Sequence, residues 1–178
     1  MTRRSWPEVL AVTVFGTGFS PVAPATVASA LTCVIFWFLP VALRWPWALL
    51  LIPACYGGVW LSTRAIDTFD VVTDSRFQKL RRPNPHKDDP DQVVIDEFIG
   101  QWITLLAVPQ DISLPRKFLM FTAAFVVFRI LDIVKPLGIE ASQKLKGGWG
   151  IMADDVLAGL GSALLLVLAS KLVTVLLP

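Results

Sequence analysis

Apolar residues fill long stretches of this chain, and polar residues gather in the short intervals between them. No Asp, Glu, Lys or Arg occurs in residues 9–43 or 45–63. A bilayer core of roughly 30 Å is crossed by about 20 apolar residues of helix, so both runs are long enough to span. Shorter uncharged runs at 98–110, 118–128 and 156–170 reach spanning length only by admitting an ionisable residue near one end. The pattern predicts an all-α, polytopic membrane helical bundle of four or five spans, with short amphipathic helices on the cytoplasmic side. The expected elements are an amphipathic segment at 6–15, a Gly/Pro loop to about 24, and helices at 26–39, 47–61, 93–108, 118–134 and 153–176. Within the polar stretch 64–92, Ile66, Phe69, Phe77 and Leu80 are spaced as one face of a surface helix, which ends in the loop signal PNPHKDDP. With no internal repeat, residues 1–178 read as one integral-membrane domain that contains the 64–92 segment as a cytoplasmic loop or helix.

Composition agrees with lipid. Of 178 residues, 54% are hydrophobic and 17% charged, whereas a soluble domain carries about a quarter charged residues. Disorder is excluded, and a net charge of +2 without an aromatic-interleaved basic block excludes nucleic acid as partner. Cys33 and Cys55 fall within candidate spans, where small buried hydrophobes are expected. Arg3 and Arg4 could open a signal peptide, but GTGFSPVAP at 16–24 breaks the apolar run, so retention is expected. A cytoplasmic N-terminus leaves only Arg44, Arg116 and Lys117 in outer loops, as the positive-inside rule requires. The same threading gathers every acidic residue except Asp111 on the cytoplasmic face, an asymmetry the rule does not demand.

Four segments share that face. In DPDQVVIDEFIG (89–100), Asp96 and Glu97 stand just inside an apolar helix start. They suit the positive end of a helix dipole, but acids at membrane depth also face cavities, partners or ions. In FRILDIVKPLGI (128–139), Arg129, Asp132 and Lys135 follow at i, i+3 and i+6, a salt-bridge ladder that Pro136 ends. In GGWGIMADDVLAG (147–159), a Gly-rich turn precedes Asp154 and Asp155, and small residues follow that let another helix approach. Five carboxylates (Asp96, Glu97, Asp132, Asp154 and Asp155) thus recur at one end of three helices. A hard divalent cation compensates such charge, and all-oxygen ligands favour Mg²⁺ over Zn²⁺. The fourth segment, GTGFSPVAPATVAS (16–29), is a flexible loop that enters a helix near Thr26; the Thr26 hydroxyl would cap it, and a helix N-terminus receives phosphate. It lacks the spacing and lysine of a Walker loop.

These four segments, in this order, resemble the phosphatidylglycerophosphatase A family of bacterial membrane phosphatases. The matching strings are the loop at 16–29, VVIDE at 93–97, F-R-x-x-D-x-x-K-P at 128–136 and G-G-x-G-I-M-x-D-D at 147–155. The resemblance implies Mg²⁺-dependent removal of the terminal phosphate of phosphatidylglycerophosphate, a membrane phospholipid substrate, to give phosphatidylglycerol. It places the protein in the bacterial inner membrane, multi-pass, with the active site facing the cytoplasm. Carried onto this chain, the family's acidic positions would be Asp96, Glu97, Asp132, Asp154 and Asp155, with Lys135 as basic partner; read together with the residues, the five acids are expected to hold the metal and serve catalysis, and Lys135, Arg129 and the Thr26 helix start to bind phosphate oxygens. The chain departs from the family at Ala25, where glycine is usual and a positive φ would be costly, at Gly138, and in a long stretch at about 63–87.

The rival from another class is a small cation transporter or channel, with the acids as its ion site; it would set them deep within spans. A CDP-alcohol phosphotransferase would carry D-x-x-D-G, absent here. Asp89–Val93 matches an aspartyl-phosphate string without a preceding strand, and His86, the only imidazole, lies in a polar loop.

Overall fold

A computed structural model describes residues 5–40, 44–72, 90–109, 111–136, 139–142 and 145–176. The described residues form helices without strands: α1 (Trp6–Val12), a 3₁₀ turn (Thr17–Phe19), α2 (Pro24–Phe38), α3 (Arg44–Val72), α4 (Ile95–Leu106), α5 (Leu114–Val134), α6 (Ile139–Ser142) and α7 (Gly148–Leu176).

Helix α4 is the axis of the bundle. Every residue from Ile99 to Leu105 is buried, and α2, α3, α5 and α7 all pack around it. The long helices alternate in direction. Thr63, late in α3, accepts a hydrogen bond from the Gly148 N–H that opens α7 (2.9 Å), while Phe36, Trp47 and Trp102 meet at the opposite end with ring centroids 5.3–5.9 Å apart. The starts of α2, α4 and α7 therefore share one end with the ends of α3 and α5. Apolar side chains such as Leu49, Ile52, Phe118, Val126, Leu164 and Leu168 face outward, whereas Ser29, Thr32, Ser62, Gln101, Thr104 and Ser162 are buried. That inversion suits a bilayer rather than water.

Among the described residues, two helices are long and apolar enough to cross a membrane, Pro46–Ile66 and Gly148–Leu172. Only 17% of the most apolar stretch of the first is buried, unlike a soluble core helix. The expectation of four or five spans is met only at the level of an apolar helical bundle with these two. Helices of 15 residues (α2) and 12 (α4) reach about 22 and 18 Å, short of the roughly 30 Å core; α5 has the length but carries Arg116, Lys117, Arg129 and Asp132.

Several element boundaries differ from the sequence reading. The second span begins before Pro46 and carries Pro53 inside the helix, continuing into the polar stretch as far as Val72. The proposed surface-helix positions Phe77 and Leu80, and His86, lie outside the described residues, as does Gly138. Of the Gly-rich turn, only Gly147 (φ 62°) stands before α7, and Gly148 and Gly150 already belong to its first turn. A Cβ on Gly148 would stand 2.1 Å from the Val59 carbonyl oxygen, so α7 docks on α3 through a bare backbone. The start of the 16–29 loop is tied down by hydrogen bonds and close packing. Thr13 Oγ1 donates to the Val9 carbonyl (2.7 Å) and accepts from Gly16 N–H (3.1 Å), and a Cβ on Gly18 would strike the Gln92 carbonyl at 2.1 Å. Val94 N–H donates to the Val12 carbonyl (3.1 Å). The loop is thereby fastened to the start of α4.

Candidate active site

The acids arrive from three helices. Asp96 and Glu97 occupy the first turn of α4, after Pro90 and the bend through Val93 and Val94, two buried valines that seat the helix start. No strand precedes the 89–93 string among the described residues. Asp154 and Asp155 stand about 10 Å along α7 from its first residue, beyond the first turn, so they do not cap the helix. Both are buried, at 5% and 3% exposure. Asp132 enters from the last turn of α5.

What lets these helices meet is a crossing of two glycines. A Cβ on Gly100 would sit 2.6 Å from the Asp155 carbonyl oxygen, and one on Gly159 2.5 Å from that of Gly100. Thr104, one turn beyond Gly100, donates to the Gly100 carbonyl (3.0 Å) and reaches that of Gly159 (3.3 Å). Close backbone approach of this kind needs small residues. Carboxylate oxygens of Asp96, Glu97 and Asp155 consequently lie within 4.8 Å of one another. At an effective dielectric near 20, two full charges at that separation repel by about 3.5 kcal/mol. Glu97 Oε2 and Asp155 Oδ2 are buried without a hydrogen-bond partner. An oxygen-only cluster with uncommitted lone pairs fits a hard divalent ion.

The other two acids hold cations. Asp132 pairs with Arg129 at 2.7 Å, and its charge acts on both Glu97 and Asp155. Asp154 pairs with Lys135 Nζ. Lys135 ends α5 in the left-handed region (φ 48°), its N–H donating to the Leu131 carbonyl at 2.8 Å. Burial would lower the Lys135 pKa, but the Asp154 bond and the charges of Asp154, Asp132 and Asp155 outweigh it and raise it above the usual lysine value. Its ammonium is therefore charged throughout the neutral range.

Thr26 is placed otherwise than expected. Helix α2 begins at Pro24, with Ala23 as its N-cap and no side-chain capping bond, so Thr26 lies in the first turn and caps nothing. The positive φ falls on Ala23 (44°) and Ala25 is helical, which removes the conflict read at Ala25. The sequence reading missed Gln101, buried one turn past Glu97 with neither amide atom hydrogen-bonded. Its signal was a polar amide four positions after Glu97, inside the uncharged stretch FIGQWI at 98–103.

A lipid-facing helical bundle that gathers five acids and two ion-paired cations at one end defines a membrane protein with a candidate divalent-metal and anion site. Residues 10–170 match the phosphatidylglycerophosphatase A family. An Escherichia coli protein named phosphatidylglycerophosphatase A is 35% identical over 90% of this chain and 82% of its own length. A Haemophilus influenzae protein of the same name is 45% identical over 40% of this chain and 42% of its own. A Bacteroides thetaiotaomicron protein, provisionally named a phosphatidylinositol-3-phosphatase, is 39% identical over 95% of this chain and 97% of its own. No solved structure matches. The chain belongs to the phosphatidylglycerophosphatase A family.

Proposed function

We propose that this chain hydrolyses the terminal phosphate of phosphatidylglycerophosphate, yielding phosphatidylglycerol and inorganic phosphate, at the bundle end that carries Asp96, Glu97 and Asp155. The observation that carries this reading is the convergence of those three carboxylates within 4.8 Å, beside Arg129 and Lys135, in a chain of this family.

The ion that suits the donor set is Mg²⁺, held by Asp96, Glu97 and Asp155 with Asp132 and Asp154 adjoining. Bound there, it would supply a Lewis acid for phosphoryl charge and lower the pKa of a coordinated water. The chain's own side chains do the rest. Arg129 and Lys135 present positive charge to the remaining phosphate oxygens, and their pairing with Asp132 and Asp154 holds each cation in place before substrate arrives. Thr26 and the free N–H groups of the first turn of α2 add donors at the same end. Phosphate-monoester hydrolysis is among the slowest uncatalysed reactions, so stabilising phosphoryl charge is the main task of such a site.

The whole chain acts as one membrane unit. Five antiparallel helices carry the N-terminus and the polar 64–92 segment on the cytoplasmic side of the inner membrane, with α4 shielded from lipid by its neighbours. Acids at one end of the bundle, rather than along its length, favour hydrolysis at the headgroup level over ion transport. The Bacteroides relative's name favours one second reading, a phosphoinositide headgroup.

One assay separates these. Purified protein in detergent micelles is given phosphatidylglycerophosphate, phosphatidate, lysophosphatidate or phosphatidylinositol 3-phosphate, with Mg²⁺ or with EDTA, and released phosphate is measured. Phosphatidylglycerophosphate should be the fastest substrate, EDTA should abolish turnover, and Asp96→Asn and Asp155→Asn should each lose about 100-fold or more. Wild-type rates in both variants would overturn the assignment of the site.

A further inference from the structure

Between α2 and α5 lies an apolar groove of about 450 Å³, within the size range of small-molecule sites. Ala30, Cys33 and Trp37 form its α2 wall, and Phe118, Thr122 and Phe125 its α5 wall. The two helices meet at the far end, where Trp37 and Phe121 pack edge to face at 5.2 Å and Lys117 Nζ donates to the Trp37 carbonyl (3.0 Å). On the side nearer the acids, the α2 wall is made of the small side chains of Ala30 and Cys33.

Helical register carries both walls to the acidic end. Thr26, Ala30, Cys33 and Trp37 recur at intervals of four, three and four, one face of α2. Phe118, Thr122, Phe125, Arg129 and Asp132 recur at four, three, four and three, one stripe of α5. The groove thus begins one turn from Thr26 and Arg129 and runs away from them. Phe118 to Arg129 spans about 16 Å of helix, close to half of a roughly 30 Å bilayer core, which is the depth of one leaflet.

We propose that the α2–α5 groove holds an acyl chain of the diacyl phospholipid substrate, with the lipid phosphate at its Thr26, Arg129 and Asp132 end. The inference rests on the lipid-phosphatase reading above. It explains why an apolar cleft open to the bilayer shares its stripe with an ion-paired arginine.

Dioleoyl and dihexanoyl phosphatidylglycerophosphate would be compared in detergent micelles for wild type, Ala30→Phe and Thr122→Phe. The two variants fill the groove from opposite walls, and Ala30 and Thr122 are both exposed, so neither replacement crowds the buried core. The KM for the dioleoyl substrate should rise about tenfold, with kcat retained and dihexanoyl kcat/KM within about twofold of wild type. Unchanged kinetics on both substrates would overturn the groove assignment. So would equal losses on both, which mark a packing role, or a changed oligomeric mass with unchanged kinetics, which marks a face for a second copy. Wild-type protein inactive on both substrates would instead overturn the phosphatase reading itself.

Discussion

Lys135 shows how much one residue is asked to do. Its left-handed backbone costs about 1–2 kcal/mol in a residue with a Cβ, and helices that end this way commonly carry glycine there. Retaining lysine makes sense only if the ammonium is needed, and its partner is Asp154. Lys135→Gly should therefore leave helix content intact by circular dichroism, because the backbone relaxes, while phosphate release falls about 100-fold or more. Equal loss of fold and activity would make the lysine a structural cap. The sequence showed Arg129, Asp132 and Lys135 as a ladder, but the actual partners are Arg129 with Asp132 and Lys135 with Asp154. Spacing along one helix reveals neighbours on that helix and is blind to a neighbour on another.

At the scale of elements, the crossing of α4 and α7 decides whether a site exists. Substituting alanine for glycine in an exposed helix interior gains about 1 kcal/mol of propensity. At Gly100 and Gly159 the added Cβ would meet backbone at 2.6 and 2.5 Å, and backbone does not yield as a side chain does. Gly100→Ala and Gly159→Ala should each destabilise the protein by about 1–3 kcal/mol and lower activity, as thermal unfolding in detergent would register. Gly57→Ala, whose Cβ meets nothing within 4 Å, is the internal control and should be neutral or stabilising. Small residues after Asp155 signalled a close helix contact in the sequence. That the contact is with α4, and so sets Asp155 against Glu97, was not legible there. The boundary errors have a similar cause: Gly148 looks like a turn residue until α3 supplies the surface on which its helical backbone packs.

For the whole molecule, the proposed topology, in which α2, α3, α4, α5 and α7 run in alternating directions across the membrane, predicts opposite sides for residues 73–89 and the far end of α7. A reporter fused after Pro178 should be extracytoplasmic and one inserted within residues 73–89 cytoplasmic, read with paired phosphatase and fluorescent-protein fusions. Both reporters on the same side would remove one traverse. Residue counts alone suggested four or five spans, because uncharged runs were taken as lipid-facing. The fold shows that the run around Ile99–Leu105 is apolar since it is enclosed on all sides, and burial in protein and burial in lipid leave the same mark on composition.

By itself the sequence determined the apolar helical character, the crowding of acids at one end, and the acids proposed for the site, Asp96, Glu97, Asp132, Asp154 and Asp155. These follow from charge periodicity and helix geometry, which are local. Only the tertiary structure decided which three carboxylates come within 4.8 Å, that Thr26 caps nothing, and that the α2 and α5 stripes line one groove. Those outcomes depend on where helices cross, and crossings are set by contacts between residues far apart in the chain, such as Gly100 with Gly159.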